Sequence, residues 1–224
     1  MKIADFRNLI HEFPFKNQSF DISSKNWELK SQQSLINKIF ESKEMQSQNG
    51  NKIITISRND LMNSKSDIKE FIIKTLMWGY PTKGRGKNIE NMLNGKNFEK
   101  LVQILNQYRE SEITIEQLKG DINSIHGLGL STITKFTHFL NTTINRNKAV
   151  ILDNQIIEGI NTGRFEELNH LKGISYTNAL NSYSEYLKTI NDVSKALSVE
   201  PDQVEMFLFT FGRSLSEIKL PNSL

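Results

Sequence analysis

Two glycines one residue apart, in Ile125-His126-Gly127-Leu128-Gly129-Leu130-Ser131-Thr132, join two stretches of helical periodicity and dictate a tight helical hairpin. Glycine supplies the positive φ that such a reversal needs and lets other backbone come close. Leu128, apolar and central, can tuck between the two helices. With Ser131 read as the cap of the second helix, free backbone N–H groups of its first turn point outward at the positive end of the helix dipole. That is an anion cradle suited to the phosphates of a nucleic acid, and it reads no base sequence. A lone Gly-x-Gly has a plainer use, as the end of one helix followed by the start of the next.

The residues downstream add a second constraint. Ser131 to Leu140 reads as an amphipathic helix, with Ile133, Phe136, Thr137 and Leu140 on one face and Ser131, Lys135 and His138, followed by Thr142, on the other. After it comes Ala149-Val-Ile-Leu-Asp153-Asn-Gln-Ile-Ile157, an apolar run that stops at an acid and resumes as a helix. Asp153 is therefore expected at a helix N-terminus. A capping aspartate is common by itself. Hairpin, helix, short apolar segment and aspartate in this order are much rarer.

The rest of the chain reads as mainly α. Residues 1–11 and 33–47 have helical spacing, and Lys52 to Ile56 is the one convincing strand, preceded by the turn signal Asn49-Gly50. Ile68 to Trp78 reads as a buried helix that breaks at a glycine-rich, basic loop, Gly79 to Gly86. Asn97 is read as the cap of a helix reaching Tyr108, and Thr114 with Gln117 has capping-box spacing. Later helices are expected at 154–160, 175–190 with Ser175 as cap, 192–198 and 201–212, the last with Pro201 in its first turn. The domain reading is an N-terminal segment, 1–60, packed on a core of 61–224 that holds the hairpin (114–141) and the segment 149–157.

Composition narrows the chemistry. The chain has 224 residues and no cysteine, which removes disulfides, thiol nucleophiles, iron–sulfur clusters and cysteine zinc sites. Four scattered histidines make a histidine metal site unexpected, so no cofactor and no side-chain metal site are foreseen. No apolar run approaches a membrane span, and the first residues lack a secretory apolar region, so a cytoplasmic protein is expected. The net charge of +3 is unevenly spread, +2 over 1–64, +5 over 65–150 and −4 over 151–224. Between Lys74 and Arg109 seven basic residues face only Glu90 and Glu99, a distribution that can present one positive face to a phosphate backbone. A solvated lysine-rich surface would look the same.

From about Thr114 to Ile157 the chain resembles the helix-hairpin-helix DNA glycosylase superfamily. The hairpin resembles that family's Leu-Pro-Gly-Val-Gly pattern, with His126 in place of the proline, and Leu152-Asp153 resembles its catalytic signature. Trp78-Gly79-Tyr80, Gly84-Arg85-Gly86 and Val204 to Phe209 resemble the 8-oxoguanine-glycosylase-like branch, extending the likeness to about residues 60–215.

The resemblance implies two helical lobes with a base-binding cleft between them, and a minor N-terminal β element. It implies a monomer on double-stranded DNA that flips a modified base into a pocket and hydrolyses its glycosidic bond with Asp153. Bifunctional relatives carry a nucleophilic lysine at the position of Ser131, so an enzyme that leaves an abasic site is expected, with Lys135 one turn later as the alternative amine. Expected DNA contacts are Gly127, Leu128, Gly129, Ser131 and Thr132 of the hairpin, with Tyr80, Lys83, Arg85 and Lys87 of the basic loop. The carbonyls of Asn123, Ile125 and Leu128 are the expected seat of a monovalent cation. The substrate reading stays divided between 8-oxoguanine and a hypermodified phage base such as glucosylated hydroxymethylcytosine, the latter in anti-phage defence. A non-catalytic helix-hairpin-helix module and a helical scaffold are the other readings.

Overall fold

The computed structural model describes residues 1–42, 51–84 and 86–215, and the backbone of 46–48. The turn signal Asn49-Gly50 lies outside the described residues. In chain order the helices are α1 (Arg7–Glu12), α2 (Gln33–Glu41), α3 (Arg58–Asn63), α4 (Ile68–Gly79), α5 (Asn88–Leu93), α6 (Gly95–Tyr108), α7 (Ile115–Asn123), α8 (Leu130–Phe139), α9 (Asn154–Asn161), α10 (Ala179–Leu197) and α11 (Pro201–Phe211). The strands are β1 (Ser19–Ser23), β2 (Gln46–Gln48), β3 (Asn51–Ser57), β4 (Glu112–Ile113), β5 (Thr143–Ile144) and β6 (Asn147–Lys148). The chain is mainly α, as its sequence predicts. No helix among the described residues is long and apolar enough to cross a membrane.

Contacts divide the chain into two compact units, Pro14–Ile151 and a second formed by Met1–Phe13 with the residues from Leu152 onward. The sequence reading divided it at 60/61. The contacts divide it elsewhere because the N-terminal sheet packs directly on α4. That sheet has the order β1-β3-β2, all antiparallel, with Phe20 opposite Ile56 and Ile22 opposite Ile54. Ile22, Ile54 and Ile56 alternate along the strands onto one buried face. The helix expected to run to 47 ends at Glu41, and β2 occupies 46–48.

The α4 helix is the centre of the 14–151 unit. Asp67 caps it by accepting from the N–H groups of Lys69 and Glu70 at 3.0 and 3.1 Å. Phe71, Ile72, Ile73, Leu76 and Met77 are fully enclosed, because α4 meets the sheet on one side and α6 and α8 on others. Each large side chain so buried stabilises the fold by roughly 1.5–3 kcal/mol. Trp78 is core as well, edge-on to Phe139 at 5.2 Å and to Phe20 at 5.7 Å, with the Arg58 guanidinium 5.4 Å over its ring.

A second small sheet, unforeseen from sequence, brackets the hairpin. β4 enters α7, and β5 leaves α8 and pairs parallel to β4 and antiparallel to β6. These strands are too short to show a period of two. Asn145 and Arg146 make the β5–β6 turn with positive φ at both positions.

In the other unit the chain's first residues pack with its last helices. The Met1 ammonium donates to the Arg164 carbonyl at 3.1 Å, the Ile3 N–H to Glu167 at 2.8 Å, and Gln203 to the carbonyls of Ile10 and His11. Phe207 is the hub of the aromatic core, with Phe6, Phe165 and Phe211 at 5.2, 5.8 and 5.7 Å. The helices expected at 175–190 and 192–198 are one continuous helix, α10, which starts at Ala179 and not at Ser175. Asn178 accepts the Ser175 N–H, making the turn that delays the start.

Candidate DNA interface and active site

Thr114 caps α7 by accepting from the Gln117 N–H at 3.1 Å, as its spacing predicts. The chain then reverses at Gly127, whose φ is +91°, and Leu128 turns inward with 7% of its surface exposed. The second hairpin helix starts two residues earlier than expected. Its cap is Gly129, not Ser131, because the Gly129 carbonyl accepts both the Thr132 and Ile133 N–H groups at 3.0 Å. Gly129 has no side chain to cap with, so the N–H groups of Leu130 and Ser131 have no partner among the described residues. The free N–H groups of the first turn thus lie two positions earlier than a cap at Ser131 would set them.

The basic loop between α4 and α5, together with α5 itself, is attached to this hairpin at three points. The Tyr80 hydroxyl shares a hydrogen bond with Thr132 Oγ1 at 2.7 Å. The Gly127 backbone presses on that of Asn88. One residue before Gly127, His126 Nε2 stands 3.3 Å from Asn91 Nδ2. Lys83, partly exposed, and Lys87, exposed, are carried by this loop, and neither forms an ion pair among the described residues. Arg85 lies outside the described residues. Asn97, expected as a helix cap, instead donates to the Asn91 carbonyl at 2.8 Å inside α6, whose cap is Asn94. These tertiary ties left no trace in periodicity, since each links residues distant in sequence.

The amphipathic reading of α8 needs correction. Every one of its residues is buried, including Ser131, Lys135 and His138, which were expected on the outer face. His138 Nδ1 meets the Ala149 carbonyl at 3.2 Å, and the Ala149 N–H donates to the Thr142 carbonyl, which holds the chain leading toward Asp153 against α8. Lys135 is only 6% exposed, and its ammonium donates to the Ser131 carbonyl at 3.0 Å and to Ser131 Oγ at 2.7 Å. The 14–151 unit therefore brings together Tyr80, Ser131, Thr132 and Lys135.

Asp153 belongs to the other unit, where it caps α9. Its backbone is extended, and Oδ1 accepts from the Ile156 N–H at 3.2 Å. Oδ2 makes no hydrogen bond among the described residues, and the residue is partly exposed. Such a group can stabilise developing positive charge or orient a water through Oδ2.

Among the described residues no group of three or more His, Asp or Glu side chains could hold a metal ion. Of the three carbonyls expected around a monovalent cation, that of Ile125 already accepts the Leu128 N–H at 3.2 Å and keeps one lone pair.

A family model described as "Putative 8-oxoguanine DNA glycosylase OGG-like protein" matches residues 14–209. No curated protein and no solved structure matches the chain.

Proposed function

The chain belongs to the OGG-like family of 8-oxoguanine DNA glycosylases, and on that premise we propose that it is a monofunctional enzyme that hydrolyses an N-glycosidic bond and leaves an abasic site. The observation that carries this reading is Asp153, capped on Oδ1 and uncommitted on Oδ2. As the C1′–N bond of a flipped nucleotide breaks, positive charge develops on the sugar, and the carboxylate stabilises it. A water held by Oδ2 then forms the C1′–O bond. It gives up one proton, while the departing base keeps the bonding electron pair and takes a proton. Ser131, where bifunctional relatives carry their lysine, supports hydrolysis over strand cleavage.

The hairpin N–H groups and the cations Lys83, Arg85 and Lys87 are the proposed grip on the DNA backbone, with Tyr80 as the residue that fills the space left in the duplex by the flipped base. Hairpin contacts of this kind are blind to sequence, so substrate choice falls to the base. The family description supports 8-oxoguanine as that base. Glucosylated hydroxymethylcytosine of phage DNA is the second substrate, and would make the protein a defence enzyme.

One assay tests both. The protein is incubated with an oxoguanine-containing duplex and with glucosylated phage DNA, and strand breaks are counted before and after alkali. Breaks that need alkali, in one substrate, are the expected result. Asp153→Asn should lower base release about 100-fold or more while duplex binding persists. Asparagine caps a helix as well as aspartate does, so folding should be unchanged. Full excision by that variant would refute the assignment of Asp153, and breaks without alkali would refute the monofunctional product.

A further inference from the structure

Lys135 sits in surroundings that a structural lysine does not need. The helix that carries it is buried along its whole length, where an apolar side chain would serve better. Its aliphatic chain runs along Gly79, so closely that a Cβ there would stand 2.9 Å from Lys135 Cδ. Its ammonium ends 5.6 Å from the centre of the Tyr80 ring. The two acceptors it finds, the carbonyl and the hydroxyl of Ser131, are both neutral. No carboxylate among the described residues lies within ion-pair reach of it.

An ammonium has three donors and a full charge. Here two donors are used, and the charge is compensated only by dipoles and one aromatic face. Burying a charge on those terms costs stability that a methionine or leucine would not. The neighbours point the same way, since Tyr80 and Thr132 hold each other through one hydrogen bond between two hydroxyls and retain unused capacity. The result is a preorganised cluster of positive potential and oxygen-directed donors within one compact unit.

We propose that Lys135, backed by Tyr80, Ser131 and Thr132, is a binding residue that donates to an electron-rich oxygen of the nucleotide substrate, a base carbonyl or a backbone phosphate. The inference rests on the glycosylase reading but does not require Asp153 chemistry. It makes Lys135 a reader of substrate and not the amine nucleophile. An uncompensated charge that is costly in the free protein becomes a source of selectivity once an acceptor arrives.

The test compares wild-type protein with Lys135→Met and Lys135→Arg. Lys135→Met should melt at or above the wild-type temperature, because it removes the unpaired buried charge. In the same variant, preference for lesion-containing over plain duplex, and excision where the wild type excises, should fall about ten- to hundred-fold. Lys135→Arg, which keeps a charged donor, should recover part of that loss. The salt dependence of duplex affinity identifies the source of the oxygen. A slope smaller by about one in Lys135→Met marks a phosphate, and an unchanged slope with lost lesion preference marks the base. A lower melting temperature with binding and excision intact would overturn the proposal and leave Lys135 a structural tie. So would a borohydride-trapped covalent adduct that Lys135→Arg abolishes. Should the wild type excise neither substrate, the glycosylase reading fails, and the affinity measurements still judge Lys135 on their own.

Discussion

Gly127 and Asn88 touch backbone to backbone, so that a Cβ on Gly127 would stand 2.5 Å from the Asn88 carbonyl oxygen and 3.0 Å from its Cα. The hairpin glycine therefore does two things at once. It takes a φ of +91° that an L side chain rarely adopts, and it leaves room for the start of α5, where the basic loop ends, to seat on the hairpin.

Gly127→Ala should consequently cost more than a turn substitution alone. Backbone strain accounts for about 1–3 kcal/mol, and the clash falls on main chain, which cannot swing aside as a side chain can. Urea unfolding at neutral pH measures the loss, and duplex affinity should fall with it as the loop and hairpin separate. An alanine variant as stable as the wild type would show that the contact yields without cost.

Much of this was legible in the sequence where the signal is local. The α7 cap at Thr114, the reversal at Gly127 and the cap at Asp153 each depend on residues within three or four positions, and each lies where its spacing puts it. The burial of α4 was legible too, from an apolar run too dense for a surface helix. What failed was any statement about which polar face meets solvent. Ser131, Lys135 and His138 share a side of α8, and periodicity assigns such a side to water. Tertiary partners overrode that: Gly79, which leaves space for the lysine, and Ala149, whose carbonyl meets the histidine. The same holds for α8's start at Gly129, where a backbone carbonyl took the part assigned to the Ser131 hydroxyl.

The basic loop yields a prediction about charge. Lys83 and Lys87 make no ion pair among the described residues, and they follow Tyr80, whose hydroxyl fixes the loop's start to the hairpin helix. Replacing both by glutamine should leave stability within about 0.5 kcal/mol. The slope of log affinity for duplex DNA against log salt should shrink by about 0.9 for each lysine that meets a phosphate. Titrations across a series of salt concentrations read it directly. A slope unchanged in the double variant would mean that these lysines face solvent when DNA is bound.

Tyr108 supplies the prediction about pH. Its hydroxyl donates to Asp121 Oδ2 at 2.5 Å, and its carbonyl accepts from Thr142 Oγ1 at 2.8 Å, so α6 holds both the helix entering the hairpin and the segment leaving it. Burial first, then the hydrogen bond and charge of Asp121, push the phenol's pKa well above its ordinary value near 10. The neutral phenol is thus the form that folding favours. Its contribution is fully present below about pH 10, where the unfolded chain also keeps its proton. Above that, the unfolded tyrosine ionises while the folded one does not, and stability falls as pH rises. Tyr108→Phe strands the Asp121 carboxylate and should cost about 1–3 kcal/mol at pH 8. The gap between the two proteins should narrow as pH climbs past 10, because the phenylalanine variant has no such proton to lose. Urea unfolding of both at pH 8 and at pH 10.5 measures it. A gap that stays constant would mean that the Tyr108–Asp121 pair does not hold its proton against the unfolded state.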